Sequence, residues 1–167
     1  MPEEPPAGAP LPCRVSAGAR TGTVLAFDFG ERRIGVAVGE AAVRIAHPLS
    51  TISAADNATR FAEIAKLITE WRPALLVVGL PMHGDGAEHE MTRLARRFGQ
   101  RLEGRFSLPV ALVDERLTSR AAESRLRDSG VPARRLKEAL DSASACEILQ
   151  AWFESGQTPV ETPRPRA

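Results

Sequence analysis

The sequence predicts an α/β fold: a mixed five-stranded sheet, antiparallel through its first three strands and parallel thereafter, with helices on both faces. Two observations carry this. Near the start, the β-type runs TVLAFDFG and RIGVAVGE are joined only by the polar link Glu31-Arg32-Arg33, which reads as a hairpin. Further on, ALLVVGL and PVALVDE are apolar without alternation, the pattern of strands covered on both faces, as in a parallel sheet flanked by helices. An antiparallel group followed by alternating helix and strand gives a mixed sheet.

The elements follow in order. A third strand is expected near His47 to Ile52. Asp56 then caps a helix with Phe61, Ile64, Ala65 and Ile68 on one face, ended near Trp71 by Pro73. After the strand ALLVVGL comes a helix from about Ala87 to Leu102, then the strand PVALVDE, then a helix capped by Thr118. Beyond Ser129-Gly130-Val131-Pro132 a long final helix is expected to run to about Ser155, where Gly156 stops it. The expected order is βββαβαβαα, over a single domain at 22–156. Residues 1–21 and 157–167 are rich in Pro, Gly and Ala with little periodicity, too poor in buried surface to offset ordering entropy, and are read as flexible tails.

Composition narrows the function classes. At 167 residues, with 43% hydrophobic and 26% charged residues, the chain reads as one soluble globular domain. The net charge is +1, so a polyanion site has to be a local patch. Of the 22 basic residues only Lys66 and Lys137 are lysine. Arginine's planar fork suits phosphate, although codon usage in a GC-rich genome gives the same bias. The opening MPEEPPAGAPLPC lacks the basic and apolar regions of a secretory signal, and no apolar run is long enough to span a membrane, so a cytoplasmic protein without membrane association is expected. Cys13 and Cys146 are read as unpaired thiols, Cys146 as a small buried hydrophobe.

Three carboxylates stand out against this pattern. Asp28 interrupts VLAFDFG, where a buried charge costs several kcal/mol unless it is paired or meets a cation; an aspartate that merely ends a strand is the plainer reading. Glu115 closes PVALVDE and shares strand parity with Val113 and Ala111, opposite to Asp114, which makes Asp114 the weaker candidate. Asp141 lies mid-helix on one stripe with Ala145, Ile148 and Trp152. The small run Ser142-Ala143-Ser144-Ala145 would let that helix approach the sheet closely, whereas an exposed Asp141 would pair with Lys137 or Arg134. Taken together, two acids at strand ends and one on a packing helix face share a physical rationale in a hard cation, Mg²⁺ or Mn²⁺.

The segments VLAFDFGERRIGVAVGE, LVVGLPMHGDG, VDERLTS and LDSASACEILQAWFE resemble the signature blocks of the YqgF/RuvX family of RNase H-like proteins, described as Holliday junction resolvase-like and as nucleases of ribosomal RNA precursors. They occur in the family's order from about Thr23 to Glu154. The resemblance implies an RNase H-like fold and a metal-dependent phosphodiesterase with its acidic triad on Asp28, Glu115 and Asp141. Where relatives often read DAVAA this chain has DSASA, which keeps the acid and its small neighbours.

The expected partner is nucleic acid, branched DNA or pre-rRNA, bound by a monomer or a homodimer. Arg93, Arg97 and Arg101 recur every fourth residue, a basic stripe that reads as a backbone-contact surface or a solvated helix face. Arg116 and Arg120 follow Glu115 closely, and Arg32 and Arg33 occupy the hairpin link, so all four are candidates for contact with nucleic acid. The loop GLPMHGDG leads into a helix N-terminus able to hold a phosphate. His47, His83 and His89 show no metal-ligand spacing; the last two flank a loop and are read first as solvated loop residues and second as substrate contacts. Aromatic residues are 5% of the chain and none cluster in a basic segment, which gives base stacking no support. Two other classes stand beside the nuclease. An actin-like kinase or ATPase would need a second such domain to enclose its nucleotide, while a non-catalytic nucleic-acid-binding module of the same fold stays as the alternative, with the intact triad arguing against it.

Overall fold

A computed structural model describes residues 22–82, 89–115 and 133–154, with side chains in the last segment from residue 139 onward. Strands β1 (Thr23–Phe29), β2 (Arg33–Glu40), β3 (Ile45–Ser53), β4 (Leu75–Leu80) and β5 (Val110–Asp114) form one sheet in the order β3-β2-β1-β4-β5. The pairs β1/β2 and β2/β3 are antiparallel, while β1/β4 and β4/β5 are parallel. This is the mixed sheet expected from the sequence. Helices α1 (Asn57–Trp71), α2 (Glu90–Phe106) and α3 (Ala133–Glu154) complete the described structure. Both tails, His83 and the helix expected after Thr118 lie outside the described residues.

Local chemistry explains the boundaries. The Asp56 carboxylate accepts from the Thr59 backbone N–H at 2.8 Å, which starts α1 and holds that carboxyl below its ordinary range. Arg72, in the left-handed conformation, ends α1 ahead of Pro73. Helix α2 runs four residues past the expected Leu102, closing only where Ser107 turns left-handed before Pro109. Its start is tied to the sheet by Thr92, buried, whose hydroxyl donates to the Pro81 carbonyl just after β4.

Strand alternation divides the core between the two faces of the sheet. Leu25 and Phe27 of β1, Val78 and Leu80 of β4 and Leu112 of β5 pack with Phe61 and Ile64 of α1 and Phe98 and Leu102 of α2. Val24 and Ala26, Leu75 and Val77, and Ala111 and Val113 pack instead with Ala145, Ile148, Leu149, Trp152 and Phe153 of α3. Asp28 and Glu115 continue the second set by parity, so both point toward α3 at the ends of their strands.

Candidate active site

Two glycines decide how these elements meet. Gly35 on β2 pairs with Asp28 on β1, and a Cβ on Gly35 would collide with the backbone carbonyl of Asp141. Helix α3 therefore rests its backbone directly on β2 at this point, which sets Asp141 beside Asp28. Gly79 on β4 serves the other acid: a Cβ there would lie 2.7 Å from Glu115 Oε1 and would also strike Ile148. The Glu115 side chain thus folds back over β4 toward β1. Neither glycine stands out in the sequence, because its meaning depends on which strands pair.

The acids brought together this way are electrostatically strained. Asp28 is pushed up to about 8, first by burial, then by the charge of Glu115, a hydrogen bond to the Glu115 carboxyl, and the charge of Asp141. Burial also raises Glu115, with Asp114 adding to the rise, while the bond from Asp28 and the nearby His89 oppose it. The consistent picture is one proton shared by the pair near neutral pH, carried by Asp28 and accepted by Glu115. Asp141 lies close enough to raise Asp28, and its carboxylate is paired with Arg33, Nε to Oδ2 at 3.1 Å. Every charge in excess is relieved by a proton or an arginine, a role that a bound cation would fill equally well.

Among the described residues, no three His, Cys, Asp or Glu side chains stand arranged as a finished metal-binding group. What the fold provides is a contacting pair, Asp28 and Glu115, with Asp141 adjacent and turned to Arg33. Two oxygen-donor carboxyls that must otherwise share a proton fit a hard divalent cation, and Asp141 beside them would be a further oxygen donor if it left Arg33.

The arginines proposed from the sequence fall in three places. Arg33 is engaged with Asp141, and Arg32 is exposed in the link beside it. Arg93, Arg97 and Arg101 are on α2, and all three are exposed. Arg116 and Arg120 lie outside the described residues. His89 is within electrostatic reach of Glu115, in contrast to the solvated-loop position expected for it. Its position follows from the closure of α2 onto β4, and no local sequence pattern signals it. Cys146 packs, half-buried, against the α3-side core.

Comparison with known proteins agrees with this architecture. The family model described as "RuvX: Holliday junction resolvase" matches residues 22–155. A protein of Dechloromonas aromatica named "Putative pre-16S rRNA nuclease" is 61% identical over 134 residues, spanning 80% of this chain and 92% of its own. One of the same name from Chromobacterium violaceum is 59% identical over 137 residues, 81% of this chain and all of its own. Among solved structures, Thermus thermophilus RuvC in complex with a Holliday junction substrate superposes with a TM-score of 0.54 at 14% identity, covering 83% of this chain and 99% of that one. That likeness establishes the RNase H-like fold. The alternating core, the acids at the strand ends and the matched span from 22 to 155 agree: this chain belongs to the RuvX family of nucleases.

Proposed function

We propose that the chain is a divalent-metal-dependent endonuclease that hydrolyses phosphodiester bonds in structured nucleic acid, with a pre-16S rRNA 5′ end as its foremost substrate. The observation that carries this is the proton-sharing Asp28–Glu115 pair with Asp141 beside it at the end of the sheet. The relatives' names favour the RNA substrate. The family description and the junction-bound neighbour support a second reading, Holliday junction resolution.

Asp28, Glu115 and Asp141 would hold Mg²⁺ or Mn²⁺, whose chemistry here is to make water acidic enough to attack and to offset charge on the departing oxygen. Around that centre the chain's own groups have separate tasks. Asp28 gives up the proton it shares with Glu115. Arg33, freed from Asp141, turns its guanidinium to the scissile phosphate, a bidentate fork matched to two phosphate oxygens. Arg32, Arg116 and Arg120 flank the same end of the sheet in sequence, and the arginines of α2 hold the backbone further out. No serine, cysteine or histidine nucleophile is required. The working unit is 22–156, with 1–21 and 157–167 as tails, and an rRNA substrate places it in the cytoplasm.

The test is cleavage by the purified chain with Mn²⁺ of matched pre-rRNA, four-way junction, duplex and single-stranded substrates, beside Asp28→Asn. Cleavage of at least one structured substrate is expected, falling to the metal-free background in the variant with binding retained. Full activity in Asp28→Asn would remove the assignment. Preference for the junction over pre-rRNA would move the substrate to the second reading.

A further inference from the structure

On the opposite face of the sheet from the acids, α1 and α2 flank an open-sided cavity of about 280 Å³. Its walls include Phe29 at the end of β1, Phe61 and Phe98 from the core, and the arginines Arg60, Arg97 and Arg101. Glu31 and Asn57 also line it. Among the described residues that line it, three guanidinium groups stand against one carboxylate, an excess of positive charge.

Arg60 is the unusual member. It is 7% exposed, on the same stripe of α1 as Phe61 and Ile64, where an apolar residue would be expected. Its Nε donates to the Ala54 carbonyl at 3.2 Å, and its guanidinium lies 6.0 Å from the Phe29 ring centroid. Among the described residues no carboxylate pairs with it. A buried arginine has five N–H donors in a fixed fork, and one hydrogen bond leaves most of that capacity facing the cavity. Burying such a charge without a counterion is costly. A neutral ligand would leave that cost in place, whereas an anion with several acceptor oxygens removes it. The Phe29, Phe61 and Phe98 rings pack on one another, Phe29–Phe98 at 4.9 Å and Phe61–Phe98 at 6.0 Å. They form a rigid wall behind the guanidinium groups.

We infer that this cavity is a second phosphate site, in which Arg60, Arg97 and Arg101 hold a phosphate group distinct from the one at the acids. Phe29 directly follows Asp28, and the two side chains leave opposite faces of β1. A nucleic-acid strand passing over the end of β1 therefore sets one phosphate beside the acids and another over the cavity. In that form the inference rests on the nuclease reading. A free nucleoside monophosphate offers the same chemistry, and its size suits a volume just below the ~300–1,000 Å³ of common ligand pockets.

Both sources are tested on the full chain without divalent metal, so that nothing is cut. The Nε–Hε resonance of Arg60, assigned through the backbone, is followed by NMR during separate titrations with inorganic phosphate, adenosine monophosphate and a short single-stranded RNA. A saturable shift with all three identifies a site for any phosphate, and a shift with the RNA alone identifies a site for a strand. The paired substitution Arg97→Ala and Arg101→Ala, neither of them buried on α2, is expected to weaken the titrated binding by about tenfold with an unchanged melting temperature. An Arg60 resonance unmoved by every ligand, or binding unaltered in the double variant, overturns the inference. Cleavage at the acids without an Arg60 response would sink the cavity alone, while a phosphate response in a chain that cuts nothing would sink the nuclease reading alone.

Discussion

At the scale of single residues, the Asp28–Glu115 pair makes stability depend on pH in a defined direction. In the folded chain Asp28 keeps its proton to about pH 8, whereas unfolded it loses it near its ordinary 3.8. Between those values the folded state binds more protons than the unfolded one, so stability falls as pH rises, by up to about 1.4 kcal/mol per unit, and levels off above pH 8. Glu115, raised by burial, adds in the same sense. Melting temperatures in a chelator should therefore decline from about pH 4 to pH 8 in wild type and decline less in Asp28→Asn. The variant's advantage should be greatest near pH 8 and absent at pH 4 or below; a variant less stable than wild type at pH 8 would point to a structural role for Asp28. Asp141 was legible in the sequence because an acid on an apolar helical stripe breaks a pattern. Arg60 breaks the pattern of α1 in the same way, beside Phe61 and four residues before Ile64, and that signal would have found it. Arg33 gave no such signal, since an arginine in a hairpin link is ordinary until a helix from the far end of the chain places Asp141 against it.

At the scale of elements, the site exists because α3 lies flush on the sheet, and the glycines beneath it should respond differently to a methyl group. Gly35→Ala meets backbone on α3, which cannot give locally. The helix must move, at a cost of about 1–3 kcal/mol, and cleavage should be lost with it. Gly79→Ala meets the Glu115 and Ile148 side chains, which can swing away. That variant should stay closer to wild type in melting temperature yet lose activity, because Glu115 is the group displaced. Gly104→Ala, on α2 with nothing near its Cβ, should gain roughly 0.5–1 kcal/mol and keep full activity. Thermal melts beside cleavage rates on the three variants separate these outcomes, and equal behaviour of Gly35→Ala and Gly104→Ala would contradict the close helix approach. The described elements were readable from periodicity and caps, from Asp56 to the unbroken apolar runs of β4 and β5. The roles of Gly35 and Gly79 were not, because spacing along the chain does not say which strand or helix will lie opposite.

At the scale of the whole molecule, the chain is near neutral, and among the described residues arginines line α2 and the β1–β2 link while Asp28, Asp114 and Glu115 stand where β1 and β5 end. Reversing the charge of Arg93, Arg97 and Arg101 together should weaken nucleic-acid binding irrespective of sequence and flatten its salt dependence, by about one unit of slope for each phosphate no longer neutralised. An unchanged slope would mark that helix as a solvated face. The mixed character of the sheet was inferable from the hairpin followed by alternating helix and strand, whereas its strand order is set by the pairing of β1 with β4. The meeting of three acids drawn from residues 28, 115 and 141 required the strand pairing and α3 to be seen together. The proposed function turns on whether those acids accept a cation in place of the proton and the arginine that now relieve them. Calorimetric titration of Mn²⁺ at pH 7 in buffers of different ionisation enthalpy tests this most directly, because it counts protons released on binding. Release of about one proton per site is expected in wild type, with loss of binding in Asp28→Asn; binding without proton release, or equal affinity in the variant, would contradict it.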